Sequence, residues 1–342
     1  MSKKIVVICS FLIVVPLNTC TENPINGDDN IPPGRRDYEW TVDTLNIPFT
    51  TLQRIWGSSP QDVWAIGPGG DADKTIYHFN GVNWETDGIS RPLAPTAIFG
   101  FAPNNVWICG RGGEFWHYDS QNWNKHSTLT IENYPSISIE NIWGDSPNNI
   151  YAVGFAENSE TYKSVIANYD GVKWQNVETS VMRNSFIKIQ RGTKTSSNYF
   201  VLGIRIEQFF EDTSYIYEFD GVKLNEIYKG LANSNEIGGI ENINGEVYFL
   251  KGNKIYKYAN NTFHLFLNIN EPAAIWGRNN KDIILGKLDG IAHYNGTDIQ
   301  YIYQFGNQGI SVFTAAIFEK EIFVLAYDFN NALNLIFRGK LN

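Results

Sequence analysis

Five histidines, His78, His117, His126, His264 and His293, are the side chains suited by type to move protons or ligate a metal near neutral pH. Their placement argues for neither role. His78, His117 and His293 each precede an aromatic residue and a turn at one position of a repeated segment, so the repeat accounts for them as structural residues. His126 and His264 have no partner histidine at ligand spacing, and no zinc site is expected. Asp119, Asp170 and Asp220 share a turn position that Asn80 and Asn295 fill elsewhere in the chain. A catalytic carboxylate would not be exchanged so freely for an amide, so their expected work is hydrogen bonding within turns.

Departures from the repeat are better candidates, because a site grafted on a repetitive scaffold sits where one copy differs from the rest. The loop from Gly67 to Lys74 holds Asp71 and Asp73 among glycines, a weak calcium candidate, since an Asp-x-Asp pair alone falls short of six oxygen ligands. No cofactor is expected. Arg54 and Arg278 flank Ile55-Trp56-Gly57 and Ile275-Trp276-Gly277, and Arg111 follows Gly110; converging on one rim, the three could grip a carboxylate. Arg191 and Arg205 belong to the same test. Phe209 and Phe210, adjacent in Glu207 to Asp212, would turn one ring outward and offer a partner patch. No tyrosine–glutamate nucleophile pair, P-loop, GxSxG or HExxH accompanies these residues, so hydrolysis has no support in the sequence.

The elements that must position these residues come from internal repetition. Ile55-Trp56-Gly57-Ser58-Ser59-Pro60-Gln61-Asp62-Val63-Trp64-Ala65-Ile66-Gly67 returns as Ile98 to Gly110, Ile142 to Gly154 and Ile275 to Gly286, with degenerate versions near Ile189, Ile243 and Ile317. Each copy is followed by a second pair of apolar runs about a tight turn, as in Ile76-Tyr77-His78-Phe79-Asn80-Gly81-Val82-Asn83-Trp84. Asn-Gly and Asp-Gly supply the positive φ of hairpin tips, so one repeat is four short strands. Seven repeats over 38–342 give a period of about 44 residues, the length of a propeller blade. The last copy ends at Leu335 to Gly339 one strand short, and Tyr38-Glu39-Trp40-Thr41-Val42 can supply it. The expected fold is all-β: a single seven-bladed β-propeller of four-stranded blades, closed by pairing of N- and C-terminal strands, which removes free sheet edges.

The chain has 342 residues, 43% of them hydrophobic, with 10 Trp, 18 Tyr and 21 Phe, enough for a large core. A formal charge of −9 argues against nucleic acid as a partner. Lys3 and Lys4, the apolar run Ile5 to Val15 and the sequence up to Cys20 have the layout of a secretory signal. The cut before Cys20 resembles that of a bacterial lipoprotein signal, although Thr19 stands where that family has Gly, Ala or Ser. That resemblance implies a signal peptide over 1–19, a diacylated Cys20 at the head of a tether over 20–37, and anchoring without spanning. Removing Lys3 and Lys4 makes the mature chain more acidic by two charges. Asp28-Asp29 resembles the short acidic surface-export signals of Bacteroidetes lipoproteins.

The wording of the repeats resembles bacterial secreted propeller lipoproteins whose blades read I-W-G-S-S-P-N-D-V-W-A-V-G and then I-x-H-Y-D-G-x-x-W. The turn at Asp170-Gly171-Val172-Lys173-Trp174 is distantly similar to the Asp-box of sialidase-type propellers, without its residue order. The resemblance implies a propeller with an outer-membrane address, facing the periplasm or the surface. The expected function is a monomeric, non-catalytic binding or scaffold module for a protein or glycan; a carbohydrate-active enzyme of glycosidase or lyase type is the alternative.

Overall fold

The computed structural model describes residues 31–179, 183–192, 198–205, 213–231, 237–271, 274–306 and 308–342. Residues 33–342 form one compact unit, to which everything below refers. Among the described residues the regular structure is entirely β.

The strands fall into sets of four. After β1 (Tyr38–Leu45) come β2 (Arg54–Ser59), β3 (Asp62–Ile66), β4 (Ile76–Phe79) and β5 (Trp84–Glu85), then β6 (Ala94–Ala102), β7 (Asn105–Arg111), β8 (Glu114–Tyr118) and β9 (Trp123–Thr128). The third set is β10 (Ser136–Ser146), β11 (Asn149–Glu157), β12 (Tyr162–Tyr169) and β13 (Trp174–Val177); the fourth is β14 (Ser185–Arg191), β15 (Tyr199–Arg205), β16 (Thr213–Phe219) and β17 (Leu224–Leu231). Next come β18 (Ile237–Ile243), β19 (Glu246–Lys251), β20 (Lys254–Ala259) and β21 (Thr262–Asn268), then β22 (Ala274–Asn279), β23 (Asp282–Gly286), β24 (Gly290–Tyr294) and β25 (Ile299–Gln304). The chain ends with β26 (Ile310–Ile317), β27 (Glu321–Asp328) and β28 (Leu333–Leu341).

Each set is an antiparallel meander, and a single bridge between Ser138 and Arg111 links the second and third into an eight-stranded sheet. The first strands of successive sets pack side by side, and β26 packs on β2. β1 pairs antiparallel with β28 from Tyr38↔Leu341 to Leu45↔Asn334, completing a four-stranded sheet with β26 and β27. The strand expected at 38–42 therefore does join the last set. Contacts with the sheets also begin before β1: the Gly34 amide donates to the Lys281 carbonyl (2.8 Å) and the Arg36 guanidinium to Asp298 (2.8 Å), so Gly34 and Arg36, within the stretch read as tether up to residue 37, touch the sheets.

Local chemistry makes the hairpins. Gly81, Gly171, Gly221 and Gly296 have φ of 94°, 94°, 98° and 97°, as the Asn-Gly and Asp-Gly pairs require. The preceding Asn80, Asp170, Asp220 and Asn295 each accept two backbone N–H bonds, for instance Val172 and Lys173 on Asp170 Oδ1 (both 2.9 Å). This is the turn role expected of them. Ser120 holds the same place at φ 81° with a side chain that resists it. Because a left-handed L-residue costs about 1–2 kcal/mol, Ser120→Gly should stabilise the protein by about 1 kcal/mol, visible as a higher urea midpoint; an unchanged or lower midpoint would contradict this.

The core lies between the sets, in clusters that each take residues from two neighbours. Trp64, Ile66 and Ile76 meet Ile98, Val106 and Ile108; Cys109 and Phe115 meet Ile139, Ile150 and Trp174; Ile55, Val63 and Phe79 meet Phe323, Leu325 and Ile336. Each such aliphatic or aromatic side chain contributes about 1.5–3 kcal/mol on burial. Three repeat glycines, Gly57, Gly100 and Gly144, have their reason here. A Cβ on Gly100 would lie 2.6 Å from the Trp56 ring, and one on Gly57 2.8 Å from the Phe318 ring, so the glycine is the slot for the neighbouring set's aromatic. Trp56 thus packs between sheets, as the repeat implied.

Candidate binding cavity

The first strands of the sets share a register. Arg54 pairs with Ile66, Ala97 with Cys109, Asn141 with Val153, Lys188 with Leu202, Gly239 with Leu250, Ala274 with Gly286 and Thr314 with Leu325. All but Ala97 of those first-strand residues line a cavity of about 840 Å³. The repeat scaffold is the same at each of these places, and the side chain is free to vary from arginine to glycine. Gly238 and Gly239 leave part of the wall as bare backbone.

Three cations face this cavity, and two are neutralised. Lys188 is paired with Glu241, whose own carboxyl is pushed up by burial against the opposing pull of Lys188. Lys287 pairs with Glu271 at 2.8 Å. Arg54 has no ion pair among the described residues; its Nη1 donates to the carbonyl of Gln53 (3.1 Å). Burial lowers the Arg54 pKa, and the charge of nearby Glu140 works in the opposite direction. A half-buried guanidinium with donors to spare is suited to a carboxylate or other planar anion.

The expected convergence of Arg54, Arg111 and Arg278 is only partial. Arg111 lies opposite Ala94 where β6 begins, so it shares the end of the molecule where the first strands start, and it is exposed. Arg278 stands near the other end of its strand, beside the β22–β23 turn. There its Nη1 meets both Asp282 oxygens (3.0 and 3.1 Å) and the Tyr38 hydroxyl (3.0 Å), and its Nε donates to the Phe318 carbonyl (2.6 Å). Arg191 is bound to Asp145 (2.5 Å) and Arg205 to Asn184 (2.9 Å), so neither joins Arg54. Phe209, Phe210 and Cys20 lie outside the described residues.

The histidines belong to the scaffold in a way the repeat pattern did not reveal. His78 Nε2 bonds Asp62 (2.6 Å), His117 Nε2 bonds Asn105 (3.0 Å) and His293 Nε2 bonds Asp282 (2.9 Å), each partner standing at the start of the second strand. The His78 ring also stacks on Trp64 at 4.0 Å. Arg36 reaches the other ring nitrogen of the fully buried His293 (3.3 Å). The matching aspartate or asparagine eleven to sixteen residues earlier was the available signal. Of the calcium candidates, Asp71 is paired with Lys74 (3.0 Å), and the Asp73 carbonyl accepts from Thr86 (2.7 Å). Cys109 is buried, and burial pushes its thiol well above the ordinary value, away from thiolate chemistry.

No protein-family model and no curated sequence matches the chain. Solved structures do. The chain is similar to YCF48 bound to D1 peptide at 14% identity, over 91% of this chain and 99% of that one, with a TM-score of 0.62. It is similar to YCF48 from Cyanidioschyzon merolae at 12% identity (86% and 98%; TM-score 0.58) and to the β-propeller domain of Cps50 (Swd1) from Myceliophteria thermophila at 8% (86% and 99%; TM-score 0.58). At such identities the likeness shows the fold alone: a β-propeller.

Proposed function

We propose that this chain is an exported, lipid-anchored envelope protein whose closed seven-bladed propeller holds a protein partner at the end where the first strands begin, without catalysing a reaction. The observation that carries the reading is Arg54: a cation with no ion pair among the described residues, set in the wall of a cavity large enough for several side chains. Supporting it are the absence of a catalytic constellation from the sequence and the kinship in fold with a propeller solved with a peptide bound. The layout ending in Cys20 supports the anchor.

Photo-cross-linking of the full chain in envelope preparations, comparing wild type with Arg54→Gln, tests the binding reading. A discrete protein adduct, reduced about tenfold in the variant at unchanged thermal stability, is the expected result. Specific binding on a glycan array, or product from a polysaccharide and sialoside panel, would replace it with the carbohydrate-active alternative. Incorporation of labelled fatty acid that is lost in Cys20→Ser checks the anchor separately.

A further inference from the structure

Three apolar side chains at the end where the first strands begin are largely exposed: Phe49 at 94%, Leu288 at 74% and Phe329 at 63%. Single exposed apolar residues are ordinary, but a contiguous group is not. These three come from the loop before β2, the β23–β24 turn and the β27–β28 turn; Leu288 and Phe329 share a cavity wall, and the Phe49 loop is tied to the start of β28. Asn334, fully buried at the start of β28, accepts from the Leu52 amide (2.7 Å) and donates to the Thr50 carbonyl (2.9 Å), tying the Phe49 loop to the strand that follows Phe329. Leu288 and Phe329 line one cavity of about 620 Å³ together with Phe305 and Ile310. Leu288 and Ser311 are also in the wall of the larger cavity that contains Arg54. An apolar shelf therefore runs into the cation's cavity.

The shelf is held in shape. Phe49 has φ of 62°, a left-handed backbone costly for an aromatic residue, and the loop is kept there by Thr50, whose hydroxyl donates to the Gly69 carbonyl (3.2 Å). Phe329 sits on a turn in which Asp328 Oδ1 accepts from the Asn330 (2.9 Å) and Asn331 (3.2 Å) amides, while its own amide donates to the Gly309 carbonyl (3.0 Å). A surface fixed in advance loses little conformational freedom on binding.

Building on the partner-binding reading, we propose that this shelf takes a short extended peptide segment of the partner, with apolar side chains on Phe49, Leu288 and Phe329 beside an Asp or Glu carboxylate for Arg54. Charge complementarity selects the acid: Lys188 and Lys287 already have carboxylates at ion-pair distance, whereas Arg54, with the charge of Glu140 nearby, has none at that distance among the described residues. The chain's overall charge of −9 repels acidic segments elsewhere, so the pairing at Arg54 discriminates in favour of segments in which acid and apolar groups are correctly spaced. The shelf's mainly apolar and glycine lining suits hydrocarbon side chains better than a hydroxyl-rich sugar.

Panning a random dodecapeptide display library on the full chain in detergent tests this. Enriched sequences should combine Asp or Glu with Phe, Leu, Ile, Val or Met, and a synthetic copy of the best one should weaken about tenfold or more, in anisotropy titrations, against Phe329→Ser, against Leu288→Ser and against Arg54→Gln. Replacing the peptide's carboxylates by amides should cost as much on wild type and nothing further on Arg54→Gln, while Val172→Ser, an exposed valine on a hairpin tip, should bind as wild type does. Enriched peptides that bind all variants equally, or that are basic, overturn the assignment to this shelf and leave the partner-binding reading standing. Displacement of the peptide by a fatty acid with micromolar affinity would give the shelf to a lipid and overturn the proposal as well. Absence of any protein adduct in the cross-linking experiment is the separate result that removes the underlying reading.

Discussion

Arg278→Met should cost about 3–5 kcal/mol of unfolding free energy, because it removes one partner of a buried ion pair and strands the other. Arg278 and Asp282 expose only 15% and 10% of their side chains. Asp282 would be left with His293 alone, and the Phe318 carbonyl and Tyr38 hydroxyl would lose their donor. Tyr38 opens β1, so the loss also loosens the sheet that joins the two ends of the chain. The effect carries a pH signature. Burial raises the Asp282 pKa, but the His293 hydrogen bond and the Arg278 charge outweigh it and hold the carboxyl below its ordinary 3.8. A depressed folded pKa contributes stability above the ordinary value and loses it as pH falls through the folded one. The part of that contribution that comes from Arg278 is absent from the variant, while the His293 hydrogen bond remains, so the gap between the two proteins should narrow below about pH 4. Urea titrations at pH 7 and pH 3 read both effects; a constant gap would show that the Arg278–Asp282 contact is not the source.

Phe115→Ala should cost a similar amount, about 3–5 kcal/mol, for a different reason. Phe115 is fully buried and stacks on Trp174 at 4.0 Å with 12° between the rings, across the boundary between the second and third sets. Ile137, Ile139 and Val165 crowd the same cluster, so the space vacated cannot collapse without pulling two sheets together. Phe115→Leu, which keeps most of the volume, should recover more than half of the loss. Equal losses for Leu and Ala would place the energy in the ring stacking instead of the cavity. Acid should leave this defect unchanged, which separates it from the Arg278 variant.

Much of the scaffold was legible because its causes are local. A positive φ at Gly81, Gly171, Gly221 and Gly296, two amides on Asp170, and alternating apolar residues on a strand are each decided within a few residues. Even the pairing of β1 with the last set followed from counting strands. Less legible was which aspartate holds which histidine. Asp62 and His78, or Asp282 and His293, lie on adjacent strands joined by turns of different length, so the spacing between partners varies from eleven to sixteen residues and is only a loose signal.

The arginines show the boundary between the two kinds of information. Arg54 precedes Ile55-Trp56-Gly57 and Arg278 follows Ile275-Trp276-Gly277, and in one dimension both simply flank the same motif. In an extended strand those flanks are four residues, about 13 Å, apart. One opens into a cavity and has no ion pair among the described residues; the other is consumed by Asp282, Tyr38 and Phe318 from three parts of the chain. The exposed Phe49, Leu288 and Phe329 tell the same story, since they lie up to 280 positions apart, yet Leu288 and Phe329 share a cavity wall and the Phe49 loop is tied to Asn334 at the start of β28. The sequence by itself determined the repeats, their strands and their turns, because short-range backbone preference and apolar alternation suffice for those. Only the tertiary structure decided which charges are paired, which apolar groups are left uncovered and which of them meet, because those depend on contacts between sets that share no local sequence.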